Sequence, residues 1–485
     1  MKWTVVICTG LVLCLVALES RAYEPDTHSK LSDEAALNSV LNTTIATPNI
    51  NTTVLKDINL AVFSQNIFPD IESGESVNAG PGAYFAPQFT AQESLTDKQL
   101  IEAGAELEDR GNRPFCHFYD PVVGHTAPLN FAYFNRPYSA NYTAQDWVTA
   151  TAGSICTLSG PLATFSSDAQ NYSLSSADTY FYQALTMPNE SDRDQNFGEL
   201  FLSIGHELHL LEDMAQPQHV RNDMHCDSLK CLPFGLYHPN EYEKYAYINY
   251  DEVQPDYSKT PDLPTAEDYW STGDQRGLAE YTNMNFVSVG TTYSLTGTGG
   301  GSNYTMPAAN GSVPVSVGNV FGYIGTAVPN QIANYCQTRN CSMTFVTSDV
   351  HDQYAGTDAT NSWAAAYSIF NADLNDVNGH QFYTLDAATE KSAEDFLLAQ
   401  AKSYGAGLIN HFFRGRLDVQ PDPNNAAGSI VINKSSYPMS NGTLGIYYDS
   451  TDGTRHLLES WSSVSIPAAG GSSPNQYPVQ FSPPR

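Results

Sequence analysis

The chain has 485 residues with 52 acidic and 22 basic side chains, a formal net charge of −30, and 41% hydrophobic, 12% aromatic and 15% charged residues. At about 100–200 residues per domain, that length allows two or three domains and a large buried core. The composition excludes a disordered chain or a coiled coil, and the acidic excess argues against duplex nucleic acid as a partner, because lysine and arginine must neutralise its phosphates.

In chain order, Met1-Lys2 precedes an apolar run from Trp3 to Leu18, closed by Glu19-Ser20-Arg21-Ala22. Small residues occupy the two positions that signal peptidase reads, so residues 1–22 read as a secretory signal peptide and the protein as secreted, extracellular or periplasmic. Cleavage there would leave six of the eight cysteines, an even number suited to an oxidising compartment. Short spacing suggests Cys226 with Cys231 and Cys336 with Cys341, leaving Cys116 with Cys156, one of fifteen connectivities.

Residues 26–41 have helical periodicity with Asp26 or Thr27 as cap, and 42–90 read as an irregular insertion rich in Asn, Thr, Gly and Pro. Further helices are expected over 95–109, over 194–215 up to Pro217, and over 240–250. Residues 255–350 read as long surface loops; helix returns at 360–373 and 390–413. After Asp418, alternating apolar and polar residues with Asn-Gly and Asp-Gly turns predict a small β module over 418–485.

The chemistry concentrates between Gly205 and His219. His209 and Asp213 are four residues apart and project from one helix face, a spacing that suits a divalent ion held by imidazole and carboxylate. Pro217 ends the helix, so His219 can approach from the other side, while His206 could simply pack or bond a neighbour. Other candidates are Tyr23 to His28 at the predicted mature terminus, Glu108-Asp109, His117-Phe118-Tyr119-Asp120-Pro121, and Tyr237 to Glu243. Asp223, His225 and Asp227 read as loop residues, His125 as a turn residue, and Glu108 as a solvated neighbour of Asp109.

Together these motifs resemble the superfamily of zinc-dependent phospholipases C and fungal single-strand nucleases. His117 to Pro121 looks like the phospholipase C branch, and the H-x3-D-x3-P-x-H pattern from His209 to His219 matches the shared signature. The resemblance implies a mainly α fold: a phospholipase C-like, all-helical metallohydrolase domain over 23–417 with insertions at about 42–90 and 255–350, then a β-sandwich-like module. It implies up to three zinc ions: one on Asp109, His117, His209 and Asp213; a second on His219, His238 and a glutamate, Glu243 or its rival Glu241; a third on His28, Asp213 and the freed Tyr23 terminus. Asp109 would also orient the nucleophile or accept its proton, and zinc would lower the pKa of bound water. The substrate implied first is a phospholipid, with the β module touching the membrane surface. The alternatives are a single-strand nuclease or nucleotidase, which needs aromatic platforms for bases, and a non-catalytic binding protein with structural zinc.

Overall fold

The computed structural model describes residues 25–42, 97–109, 111–133, 136–161, 164–225, 242–243, 245–246, 253, 255–256, 259–291, 309–337, 341–367, 383–425 and 428–481. Tyr23, the signal-peptide segment, His238, Glu241, Cys226 and Cys231 therefore lie outside the described residues. None of the described helices is long and apolar enough to cross a membrane.

The elements run α1 (Pro25–Leu37), α2 (Asp97–Glu108), β1 (Asn130–Tyr133), β2 (Arg136–Ala140), α3 (Ala144–Val148), β3 (Ser154–Ser159), β4 (Thr164–Gln170), α4 (Leu174–Thr186) and α5 (Glu190–Glu212). They continue with α6 (Leu278–Asn285), β5 (Ala309–Ser316), α7 (Val317–Tyr323), α8 (Asn330–Cys336), β6 (Ser342–Asp352), β7 (Thr357–Tyr367), β8 (Tyr383–Thr384) and α9 (Ala387–Phe412). The last are β9 (Leu417–Pro421), β10 (Gly428–Asn433), β11 (Met439–Asp449), β12 (Arg455–Ile466) and β13 (Gln476–Gln480).

Helix α5 organises the helical region. Glu190 and Asp192 sit in its first turn, where carboxylates complement the helix dipole. From Leu200 to Glu212 every residue is buried, so this half is surrounded on all sides rather than amphipathic. Helices α2 and α4 pack along it, α1 leans on α2 and α9, and one core joins Leu31, Ile101, Phe201, Leu208, Trp270 and Leu398. Helix α9 begins at a capping box: the Asp386 carboxylate accepts from the backbone N–H groups of Ala388 and Thr389 at 3.0 Å each.

The expected all-helical domain is incomplete. Strands β1 to β4 form an antiparallel sheet in sequential order between α2 and α4, and β5 to β8 form a second. The expected loops of 255–350 thus contain α6, β5, α7, α8 and β6. The helix expected at 360–373 is strand β7, with 368–373 outside the described residues. Its alanines read as helix formers, yet Ala365 and Ala366 pair with Val346 and Phe345 of β6, and Trp363 stacks on Phe345 at 4.4 Å. Pairing partners overrode intrinsic propensity there. Of the helix expected at 240–250, only residues 242–243 and 245–246 are described as helical.

At the C-terminal end, one antiparallel sheet in the order β13-β10-β9 and the hairpin β11-β12 share a core of Val431, Val464, Ile466 and Val479. This module begins one residue before the expected Asp418 and docks on the helices by hydrogen bonds. The Arg455 N–H donates to the Pro188 carbonyl at 2.8 Å, and the Arg193 guanidinium donates to the Gly453 carbonyl at 3.2 Å.

Candidate metal centre

Two helices that cross at glycines assemble the centre. A Cβ on Gly205 would lie 2.1 Å from the Ile101 carbonyl oxygen, and one on Gly104 would lie 2.1 Å from that of Leu202, so α2 and α5 touch backbone to backbone. Just beyond that contact α5 presents His206 and His209 and is followed by Asp213 at its C-cap, while α2 ends on Glu108 and is followed by Asp109. All five are buried.

His117 follows a short 3₁₀ turn, Arg113–Cys116, which the Cys116–Cys156 disulfide ties to β3. His219 lies beyond Pro217, as expected for a chain that turns back. The Tyr119 N–H donates to the His219 carbonyl at 3.1 Å, His219 Nδ1 donates to the His117 carbonyl at 3.1 Å, and Phe118 stacks on His219 at 4.3 Å. His28 of α1 stacks on His209 with ring centroids 3.5 Å apart.

Asp213 is the hub. Its Oδ2 lies 2.9 Å from His117 Nδ1, 3.5 Å from His209 Nε2 and 3.7 Å from His219 Nδ1, and its Oδ1 lies 3.4 Å from His28 Nε2. Asp109 Oδ1 is 3.9 Å from His209 Nε2. Among the described residues, three groups offer ligand atoms within 4.8 Å of one another and could hold a metal ion: His28, His209 and Asp213; Asp109, His117 and His209; His219, His225 and Glu243.

The tautomers can be deduced. A carbonyl oxygen only accepts, so His209 Nδ1 must donate to the Ala105 carbonyl at 2.6 Å and His219 Nδ1 to that of His117. Each ring is left with an Nε2 lone pair when neutral. His209 Nε2 and His219 Nε2 are buried and make no hydrogen bond, as expected for atoms awaiting a cation. His225 lies between two acceptors, with Nδ1 3.2 Å from the Asp223 carbonyl and Nε2 2.9 Å from a Glu243 oxygen, so a neutral ring donates to one of them and leaves a lone pair at the other. His209 has one nitrogen to give, so the two groups that share it compete for a single ligand.

Burial and the neighbouring imidazoles hold His28, His209 and His219 well below the usual histidine range, hence neutral and ligand-ready. Burial pulls His117 down too, but the Asp213 and Glu108 carboxylates outweigh it and raise its pKa to about 9. Burial pushes Asp213 up to about 6 against the pull of His117. With buried imidazole and carboxylate donors and two orphaned lone pairs, the residues fit a divalent cation.

His28, Asp109, His117, His209, Asp213 and His219 therefore converge in one place. Glu243 joins them through His225, which lies on an irregular segment as expected but is buried there, its ring 5.1 Å from that of His219. The solvated reading of Glu108 is corrected: it is fully buried and bonded to Arg113 and Trp147. Glu212, unread in the sequence, accepts from His28 Nδ1 at 2.7 Å and from the Ser32 hydroxyl at 2.9 Å. One signal could have found both glutamates: each directly precedes an aspartate donor, in the doublets Glu108-Asp109 and Glu212-Asp213. His125 is exposed and pairs with Asp146 at 2.7 Å, away from the cluster.

No family model and no curated protein matches the chain. Among solved structures it is similar to the alpha toxin from Clostridium absonum, with a TM-score of 0.30 and 11% identity over 96% of this chain and 82% of that one.

Proposed function

We propose that the protein is a secreted zinc-dependent hydrolase of phosphodiesters, with a phospholipid as its substrate class. The observation that carries this reading is the convergence of His28, His117, His209 and His219 on Asp213, with Asp109 beside His209, in a buried pocket where His209 Nε2 and His219 Nε2 make no hydrogen bond. Imidazole with carboxylate is a donor set that suits zinc, and the neutral state of His28, His209 and His219 means no proton must be displaced from them near neutral pH. When bound, such ions acidify coordinated water and neutralise charge growing on phosphate oxygens.

The chain's own residues do the rest. Asp213 joins the His28 side of the pocket to the His117 side through its two oxygens. Glu212 and the Ala105 carbonyl fix the rings of His28 and His209. Asp109, buried beside His209, is the group we assign to orient the attacking water and accept its proton. The phospholipid reading is supported by the His117–Pro121 motif and by a separate β module that could touch a membrane surface. Export is supported by the apolar N-terminal run and by the disulfides Cys116–Cys156 and Cys336–Cys341.

The test is hydrolysis of p-nitrophenyl phosphorylcholine and of single-stranded DNA by zinc-loaded protein, beside its His209→Ala, Asp213→Ala and His219→Ala variants. Release of p-nitrophenol from the phosphorylcholine diester without DNA cleavage, lost in all three variants, is expected. Cleavage of DNA alone would transfer the protein to the nuclease reading, and full activity in any variant would remove the metal mechanism.

A further inference from the structure

We propose that Glu108 is a positioning residue that fixes His117 with Nε2 protonated and Nδ1 turned to the cation pocket. The inference rests on the metal reading above and adds a determinant of that site.

His117 is mounted the opposite way from its neighbours. His209 and His219 each donate Nδ1–H to a main-chain carbonyl and keep Nε2 for the pocket. His117 instead points Nδ1 at the hub, 2.9 Å from Asp213 Oδ2, so its Nε2 faces outward. What meets Nε2 is Glu108 Oε1, 3.4 Å away. Both ring nitrogens face carboxylates, which only accept. Once Asp213 is given to the cation that Nδ1 meets, Glu108 is the acceptor left for the ring proton, which puts it on Nε2 and leaves the Nδ1 lone pair for the cation.

Glu108 is itself held on every side. Arg113 Nε donates to its Oε2 at 2.9 Å and Trp147 Nε1 to its Oε1 at 2.8 Å, while His206 Nδ1 closes on Oε2. The Arg113 guanidinium also reaches Gln170 at 3.1 Å, and the His206 ring stacks on Tyr172 at 4.1 Å. The 3₁₀ turn, α3 and α5 thus meet at one carboxylate of α2 that faces a pocket histidine, and β4 joins this group of five elements through Arg113. The Arg113 guanidinium pairs with this carboxylate through both Nε and a terminal nitrogen, fixing it beside His117. A fixed carboxylate behind a ligating imidazole orients the ring and raises its basicity, and loss of such a partner typically weakens metal binding by about 10–100-fold.

A role confined to cross-linking the five elements would lower stability and leave metal affinity alone. The experiment is therefore chelator competition for zinc on the full chain and its Glu108→Gln variant, with circular dichroism of both. The expected result is retained fold with about 10–100-fold weaker binding of one zinc equivalent. Unchanged affinity for every equivalent overturns the proposal. A second measurement needs no variant of Glu108: long-range ¹H–¹⁵N spectra of histidine-labelled, zinc-loaded protein, with His117 assigned by the loss of its signals in His117→Gln. A protonated Nε2 and a metallated Nδ1 support the assignment, and the reverse sinks it even if Glu108→Gln fails to fold. Absence of any zinc binding by the unaltered protein would instead strike the metal reading itself.

Discussion

Gly205 of α5 and Gly104 of α2 face each other so closely that a Cβ on Gly205 would lie 2.8 Å from the Gly104 Cα. That contact brings the end of α2, with Asp109, against the turn of α5 that carries His206 and His209. Because the obstructing atoms are backbone, a methyl group cannot be absorbed by a rotamer change. Gly205→Ala is expected to force the helices apart at a cost of about 1–3 kcal/mol or more, and to weaken metal binding as Asp109 recedes from His209. Urea unfolding of chelated protein, with zinc competition on the same samples, checks both effects. Unchanged stability and affinity would show that the crossing does not set the site.

The sequence revealed more of the site than of the fold, for a physical reason. His209 and Asp213 share a helix face by simple periodicity, and Pro217 forces the turn that returns His219; both are local rules. His225 depends on where an irregular segment comes back, and no local rule fixes that. Glu108 read as solvated because charges usually are, and Glu212 drew no reading; their burial depends on partners distant in sequence, His206 and Trp147 for one, His28 and Ser32 for the other. The sheets were missed for the same reason: Ala365 and Ala366 form a strand because β6 is there to pair with.

His225 yields a prediction that separates the structural assignment from the sequence motif. Its Nε2, with Glu243 and His219, forms a group able to hold a cation. His225→Asn is expected to lose one metal equivalent per chain by elemental analysis, while His125→Asn, altered at an exposed ring, keeps the full complement. Equal metal content in both variants would remove His225 from the ligand set.

The Cys116–Cys156 disulfide closes a 40-residue separation and sits next to His117. Replacing both cysteines by alanine is expected to destabilise the protein by about 2–5 kcal/mol, mainly through a freer unfolded chain. Because the 3₁₀ turn carrying His117 is tied down by this bond, zinc affinity should fall as well. Equilibrium unfolding under non-reducing conditions and chelator competition measure the two effects. A loss of stability without loss of affinity would show that hydrogen bonding to His219 alone holds His117.

Glu199 gives a test of pH dependence outside the metal pocket. Burial on α5 raises its carboxyl from 4.5 to about 7. The native state therefore holds this proton more tightly than the unfolded chain, and between those two values it binds more protons. Stability from this group is fully present below about pH 4.5 and is lost as pH rises through about 7. Glu199→Gln keeps the shape and cannot ionise, so it should leave stability nearly unchanged at pH 4 and raise it by about 1–3 kcal/mol at pH 8. Thermal unfolding of chelated variant and parent at both pH values makes the comparison, and the difference between the two proteins cancels shared contributions from Glu207 and Glu212, which burial also raises. A stabilisation of equal size at both pH values would mean that packing, rather than ionisation, distinguishes the two side chains.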